Sequence, residues 1–230
     1  MNSPSYKPVA DHALLVTFGD KISDDLNQTV VAADKAIIAA DIKGIREITP
    51  ALVNLLVIFD PLVTDHHSVE TALREILPPP AQDGANKTAH HTVGVCYDAP
   101  LCPDLAAVAK ACDMSKDAVI RAHLSGTYRA AMYGFAPGYA YLSGVPSDIQ
   151  VPRKPAPVRG IPAGSVMIAG PQCLCTTIVM PTGWSIIGRT NAAIMRDDPD
   201  KPFLFDVGDT ISFTQISRNA LGPLKDQPDV

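Results

Sequence analysis

From Thr127 to the C-terminus the chain shows no long helical stripe, and short β-rich runs recur between glycines and prolines instead. This feature constrains the fold most. The runs are YRAAMYGF, SVMIA, TTIVM, WSIIG, FLFDV and TISFT. Strands this short bury little individually and must close against one another, so the pattern predicts an antiparallel barrel or closed sandwich. No tandem repeat at solenoid period is present.

The N-terminal part has a different rhythm. Ala13 to Phe18 reads as a strand ending at the Gly19-Asp20 turn. Ser23 is placed to cap a helix, Asp24 and Asp25 suit its positive end, and Leu26, Val30, Ala33 and Ile37 mark one apolar face. Ile45 to Ile48 and Leu52 to Phe59 read as a hairpin turned at Thr49-Pro50. Thr64 can cap a second helix through Val69, Leu73, Ile76 and Leu77, which Pro78-Pro79-Pro80 stops. The order is βαββα.

Residues Pro78 to Ala89 have the composition of a linker, which sets two domains, 1–90 and 91–230. The strand His91 to Tyr97 can complete a βαββαβ, ferredoxin-like sandwich in the first domain or belong to the second. Near the start of the second domain, Asp104 to Cys112 and Lys116 to Leu124 form a helical hairpin, the latter helix capped by Ser115. It imitates a DNA-reading motif but offers a groove mainly Lys116 and Arg121. With 19 basic against 24 acidic residues and a net charge of -5, the chain has no surplus for phosphates, and no nucleic-acid partner is expected.

The first residues do not read as a signal peptide, and no apolar run approaches the roughly 20 residues that span a bilayer. The expectation is a cytoplasmic protein without a membrane role. Five cysteines, odd in number and irregularly spaced, fit reduced thiols.

Three stretches carry candidate chemistry. In Gly134 to Pro146 (GFAPGYAYLSGVP), Phe135, Tyr139 and Tyr141 could wall a flat ligand, or simply line a structural loop. Val151 to Gly164 (VPRKPAPVRGIPAG) holds Arg153, Lys154 and Arg159 on proline-stiffened backbone, which suits a carboxylate or phosphate as well as it suits a solvated loop. In IAGPQCLCTT and PTGWSIIGRT, Gln172 could orient an amide and Arg189 could hold an anion or an ion pair, while Trp184 is expected in packing. Cys173 reads as a buried thiol and His123 as a packed histidine rather than a base. Phosphate-loop, dinucleotide, zinc-protease and serine-elbow motifs are missing, and no metal site is expected.

Nearly the whole chain resembles the KipI family, also called allophanate hydrolase subunit 1 or the B component of 5-oxoprolinase. ALLVTFG, LLVIFDP, TYRAAMYGFAPGYAYLSGVP, IPAGSVMIAG and PTGWSIIGRT occur in the family's order. The resemblance implies an α+β N-terminal domain joined to a cyclophilin-like β-barrel, and a KipA-like partner subunit (the C component of 5-oxoprolinase, or allophanate hydrolase subunit 2). In the 5-oxoprolinase case it also implies a LamB-type third subunit, the A component, with ring opening of 5-oxoproline to glutamate coupled to ATP, magnesium accompanying the nucleotide. On that reading Arg153 and Arg189 would hold a substrate carboxylate or phosphoryl group, Gln172 would orient the amide, and Tyr139 and Tyr141 would wall the pocket. No nucleophile or base is assigned. The alternatives are a carboxyltransferase component acting on a urea-like amide, and a histidine-kinase inhibitor of the KipI type.

Two departures from the family pattern bear on substrate. The second Pro-Arg of PRxxxPRxxVPAGSV is Pro157-Val158 here, with Arg159 one position later. The usual GxQTGIY becomes GPQCLC at Gly170 to Cys175. Both are expected to fall where substrate touches.

Overall fold

A computed structural model describes residues 3–77 and 88–223. The chain divides into two compact units, within residues 1–87 and 88–230. Residues 78–87, most of the segment read as a linker, lie outside the described residues.

The first unit runs β1 (Ser5–Val9), β2 (Ala13–Thr17), α1 (Asp24–Ala40), β3 (Ile45–Pro50), β4 (Asn54–Phe59) and α2 (His66–Ile76). Its four strands form an antiparallel sheet in the order β1-β2-β4-β3. Alternate residues of β4 are buried, so Leu55, Val57 and Phe59 meet Val30, Ala33 and Ile37 of α1 and Val69 and Leu73 of α2 in one core. Ser23 caps α1 by accepting from the Leu26 N–H at 3.2 Å, whereas α2 is capped by Asp65, not Thr64. The Asp65 carboxylate accepts from the Ser68 N–H at 2.8 Å, and an anion there also suits the helix dipole.

The βαββα run is present, but the strand beside β2 is β1, from the N-terminus. β1 is almost wholly exposed, so it has no apolar alternation by which a sequence reading finds a strand. The sixth element of the βαββαβ pattern belongs elsewhere: β5 (His90–Val95) lies in the second unit's sheet. The first unit is therefore ββαββα.

The second unit continues with α3 (Leu105–Ala111), α4 (Lys116–Ser125), β6 (Tyr128–Tyr133), β7 (Ala140–Ser143), β8 (Val158–Ile161), β9 (Ser165–Ala169), β10 (Gln172–Cys175), β11 (Met180–Thr182), β12 (Ser185–Arg189), β13 (Thr210–Gln215) and α5 (Arg218–Leu221). Seven strands form one sheet, β12-β9-β10-β7-β6-β13-β5, antiparallel except where β13 runs parallel to β5. Cys96, just after β5, and Arg189, ending β12, each donate N–H to the other's carbonyl at 2.8 and 2.9 Å. That pair joins the sheet's two ends into a nearly closed barrel, compatible with a cyclophilin-like one. Gly188 makes the seam possible, because a Cβ there would lie 2.6 Å from Val95 Cγ1.

Both faces of β9 and β12 are buried. Val166, Ile168, Cys173, Cys175 and Ile187 face the barrel core, which α3 and α4 also enter with Leu105, Val108, Val119 and Ile120. Met167, Leu174 and Ile186 face outward into a second apolar cluster with Tyr139, Ile161, Met180 and Trp184, partly supplied by the β8–β11 ribbon.

Two sequence expectations fail here. TTIVM is not a strand but a bend that leads into β11 with Ile178 and Val179 exposed. The Thr176 and Thr177 hydroxyls donate to the Pro162 and Pro137 carbonyls, diverting the backbone from a ladder. FLFDV contributes only an isolated bridge, Phe203 to Met195.

Candidate functional site

At one end of the β9–β10 hairpin, residues from four separate segments bound an open cavity of about 450 Å³. Ala163 and Gly164 come from the turn before β9, Thr176 and Thr177 from the chain just after β10, Arg189 to Met195 from the end of β12 and the chain after it, and Pro223 from beyond α5. Gly164 is the keystone. It has φ +77, its N–H donates to Thr176 O at 2.7 Å, and its carbonyl accepts from Thr190 N at 2.8 Å. A Cβ would sit 2.3 Å from Thr190 O, so only glycine lets these segments converge.

The walls are held by their own hydroxyls. Thr176 Oγ1 accepts from Ser165 N at 2.8 Å and donates to Pro162 O, and Thr190 Oγ1 accepts from Ala192 N at 3.1 Å. Thr177 ties the cavity to the GFAPGY loop through the Pro137 carbonyl, 2.8 Å away. Arg189 is buried and is the one charged side chain lining the cavity among the described residues. A guanidinium with a mainly apolar remainder, Ala192, Ile194 and Met195, suits a small organic anion.

The remaining candidates from the sequence lie elsewhere on the outer face of the sheet. Tyr139, Tyr141 and Trp184 form a row, with ring centroids 5.2 and 5.9 Å apart, and Arg153 stacks 5.5 Å over Trp184. Gln172 pairs with Ser143 and Ala169 and shares Tyr141's face of the sheet. Arg189 pairs with Ser165, at the opposite end of β9 from Ala169, about 13 Å away at 3.3 Å per residue. The five named residues thus form a group of four, Tyr139, Tyr141, Arg153 and Gln172, and one residue apart, Arg189.

The character of the four also differs from a simple ligand wall. Tyr139 is almost wholly buried, and burial pushes its hydroxyl pKa up, with Tyr141 adding to this and Arg153 opposing it. Tyr141 is not on a loop, since Ala140 to Ser143 is strand β7. Of the three cations in the proline-rich stretch, Lys154 is bound 2.5 Å from Asp104, whose carboxylate also accepts from Ile186 N. Arg159 is exposed on β8.

Sequence reasoning missed Gly164, Thr176, Thr177, Thr190 and Asn191. The signal available was the brevity of IPAG, CTT and GRT, each a small or hydroxylic cluster directly beside a strand end. The GPQCLC departure falls mostly in the core: Cys173 and Cys175 point into the barrel, away from the outer face.

Cys173 meets a closed polar cluster there. His123 Nε2 lies 3.6 Å from Cys173 Sγ, Nδ1 is 2.7 Å from the Tyr97 hydroxyl, and the ring stacks on Phe213 at 4.7 Å. Burial lowers the His123 pKa to about 3, raises the Cys173 thiol well above its ordinary value and pushes Cys175 to about 12. These groups are neutral and sealed, which suits packing and not nucleophilic chemistry. No group of three or more His, Cys, Asp or Glu converges among the described residues, and no described helix is long and apolar enough to cross a membrane.

Comparison with known proteins places this geometry in context. The family described as "Carboxyltransferase domain, subdomain C and D" matches residues 4–205. The chain is 34% identical to the B component of 5-oxoprolinase from Bacillus subtilis, over 95% of both chains. The solved structure of TTHA0988 superposes with a TM-score of 0.81 at 27% identity, covering 95% of this chain but only 42% of that one. The Kluyveromyces lactis urea carboxylase shares the fold, with a TM-score of 0.73 at 17% identity, and this chain spans 95% of its own length but 22% of that enzyme. The chain belongs to the KipI family, the family of carboxyltransferase subdomains C and D.

Proposed function

We propose that the chain is the B component of an ATP-dependent 5-oxoprolinase, which opens 5-oxo-L-proline to L-glutamate together with a KipA-like subunit and a LamB-type subunit. The observation that carries this reading is the cavity at Arg189: a small, largely apolar space with one guanidinium in its wall, in a chain similar over 95% of its length to the B component of a 5-oxoprolinase. A five-membered lactam carboxylate has that chemistry, one anionic group on a compact apolar ring.

The lactam carbonyl is a poor electrophile, and phosphorylation of its oxygen would make a better leaving group. This chain's contribution is positional: Arg189 pairs with the carboxylate, and the Gly164 turn and the threonine-tied walls keep it rigid. The cavity lining does not fit a magnesium triphosphate, since it offers one guanidinium and no carboxylate. Nucleotide handling is therefore expected of another subunit. Arg153, Tyr141 and Gln172 lie on a second part of the same outer face and serve the assembled site rather than this cavity.

The test is ATP-dependent glutamate release by the co-purified subunits. Arg189→Ala should cut kcat/KM at least about 100-fold, as expected for a lost charged hydrogen bond, with Trp184 fluorescence unchanged. Unchanged kinetics would remove Arg189 from the site, and absence of turnover with every subunit present would sink the reading. The family description favours one second reading, a carboxyltransferase component acting on a urea-like amide, which the same preparation tests with urea as substrate.

A further inference from the structure

Five polar side chains line the Arg189 cavity among the described residues: Thr176, Thr177, Arg189, Thr190 and Asn191. Their hydrogen bonds determine what the wall can still offer a ligand. Thr176 and Thr177 have each committed the hydroxyl hydrogen, to Pro162 O and Pro137 O, so neither has a donor left. Thr190 differs. It is buried, and its Oγ1 accepts from Ala192 N at 3.1 Å, which leaves the hydroxyl hydrogen to donate.

Asn191 supplies the complement. Its Nδ2 donates to Leu221 O, which ties α5 to the cavity wall beside Pro223. A carbonyl can only accept, so the amide nitrogen must face Leu221, and Oδ1 is the atom left to receive a hydrogen bond. Oδ1 has no partner among the described residues. An amide oxygen is a stronger acceptor than the threonine hydroxyls of the wall, and this one adjoins Thr190 in the chain. Three consecutive residues therefore bring a cation, a donor and an acceptor to one cavity. A five-membered lactam holds its N–H and C=O on the same side of the amide bond, so it calls for a donor and an acceptor side by side, and 5-oxoproline adds a carboxylate on the carbon next to the nitrogen.

We propose that Thr190 and Asn191 are the specificity-determining residues of this cavity: Thr190 Oγ1 donates to the lactam carbonyl and Asn191 Oδ1 accepts from the lactam N–H, while Arg189 pairs with the carboxylate. The inference rests on the reading of this cavity as the 5-oxoproline site. The class of ligand it selects is a cyclic cis-amide that carries one carboxylate. An analogue without the N–H leaves Oδ1 facing a methylene, and one without the carbonyl leaves the Thr190 hydrogen unpaired, so each loses affinity.

The experiment measures the affinity of the co-purified complex by calorimetry without ATP. Three probes are used: 5-oxo-L-proline, 3-oxocyclopentanecarboxylate, which has CH2 in place of the N–H, and cyclopentanecarboxylate, which also lacks the carbonyl. The wild type should prefer 5-oxoproline to the ketone, and the ketone to cyclopentanecarboxylate, each by at least about 10-fold. Asn191→Ala should bring the first preference within about 3-fold and leave the second. Loss of the Leu221 tie weakens all three probes alike, so the ratio alone reports Oδ1. Thr190→Val should abolish the second preference, and Thr190→Ser should restore it. A retained first preference in Asn191→Ala, or a retained second preference in Thr190→Val, would overturn the role of that residue, and continued glutamate release would leave the subunit role standing. Equal binding of the three probes by a wild type that still releases glutamate would overturn both assignments. Neither binding nor turnover of 5-oxoproline by the wild type would overturn the subunit role and this inference together.

Discussion

Acid should destabilise the barrel unit through one residue, His123. It is fully buried, with Tyr97, Tyr128, Cys173 and Phe213 packed on its ring. The tyrosine and cysteine pKa values are raised by burial, so these neighbours stay neutral throughout acid conditions and supply no charge to compensate an imidazolium. The native pKa of His123 is about 3 against an ordinary 6.5. Between those values the unfolded chain binds a proton that the native chain excludes, so stability is full above pH 6.5 and is lost as pH falls toward 3. At 1.36 kcal/mol per unit, the loss is about 2 kcal/mol from pH 7 to pH 5 and about 4 kcal/mol by pH 3.

Trp184 is the sole tryptophan and lies in the barrel unit, so its fluorescence reports that unit's urea unfolding selectively. In His123→Gln, which keeps a polar partner for the Tyr97 hydroxyl but cannot ionise, the drop in unfolding free energy between pH 7 and pH 5 should be smaller by about 2 kcal/mol. His123→Phe, able to keep the stacking on Phe213, should show the same reduced slope at lower absolute stability, because the Tyr97 hydroxyl then lacks a partner. Identical slopes for wild type and both variants would refute the argument that burial keeps this histidine neutral.

Two further outcomes are expected. Asp34 on α1 has a pKa raised to about 6 by burial, so the native state binds its proton more tightly than the unfolded chain and its ionised form costs stability above that pH. Asp34→Asn should therefore stabilise the first unit by about 1 to 2 kcal/mol at pH 8, with the gain vanishing near pH 4, as read by far-UV circular dichroism in urea. Gly164→Ala should cost at least about 2 kcal/mol, because the methyl meets Thr190 O on a left-handed backbone, and it should reduce turnover of the assembled enzyme by distorting the cavity floor. A fully stable Gly164→Ala variant would show that the turn can relax.

Periodicity was legible wherever one face of an element is buried. The α1 stripe, its Ser23 cap and the helical hairpin follow from side-chain spacing, which one-sided burial imposes directly, whereas β6, β9, β12 and β13 were legible as short β-rich runs between glycines and prolines. Local pattern failed where other physics ruled. β1 is mostly exposed, with Tyr6 as its one side chain packed against the core, Ile178 and Val179 look like strand residues until two hydroxyls claim the backbone, and Ala140 to Ser143 was hidden inside a glycine-rich loop.

The sequence by itself determined the two kinds of unit, the Ser23 and Ser115 helix caps, the buried fates of His123, Cys173 and Trp184, and the family. Only the tertiary structure decided that β5 joins the barrel, that Arg189 closes its seam beside a cavity, and that Arg153 and Gln172 stand at the far end of the same hairpin. The physical reason is range. Caps and stripes depend on neighbours within a few residues, whereas strand partners and pocket walls depend on contacts between residues as distant as Cys96 and Arg189, whose pairing is settled only when the whole sheet closes.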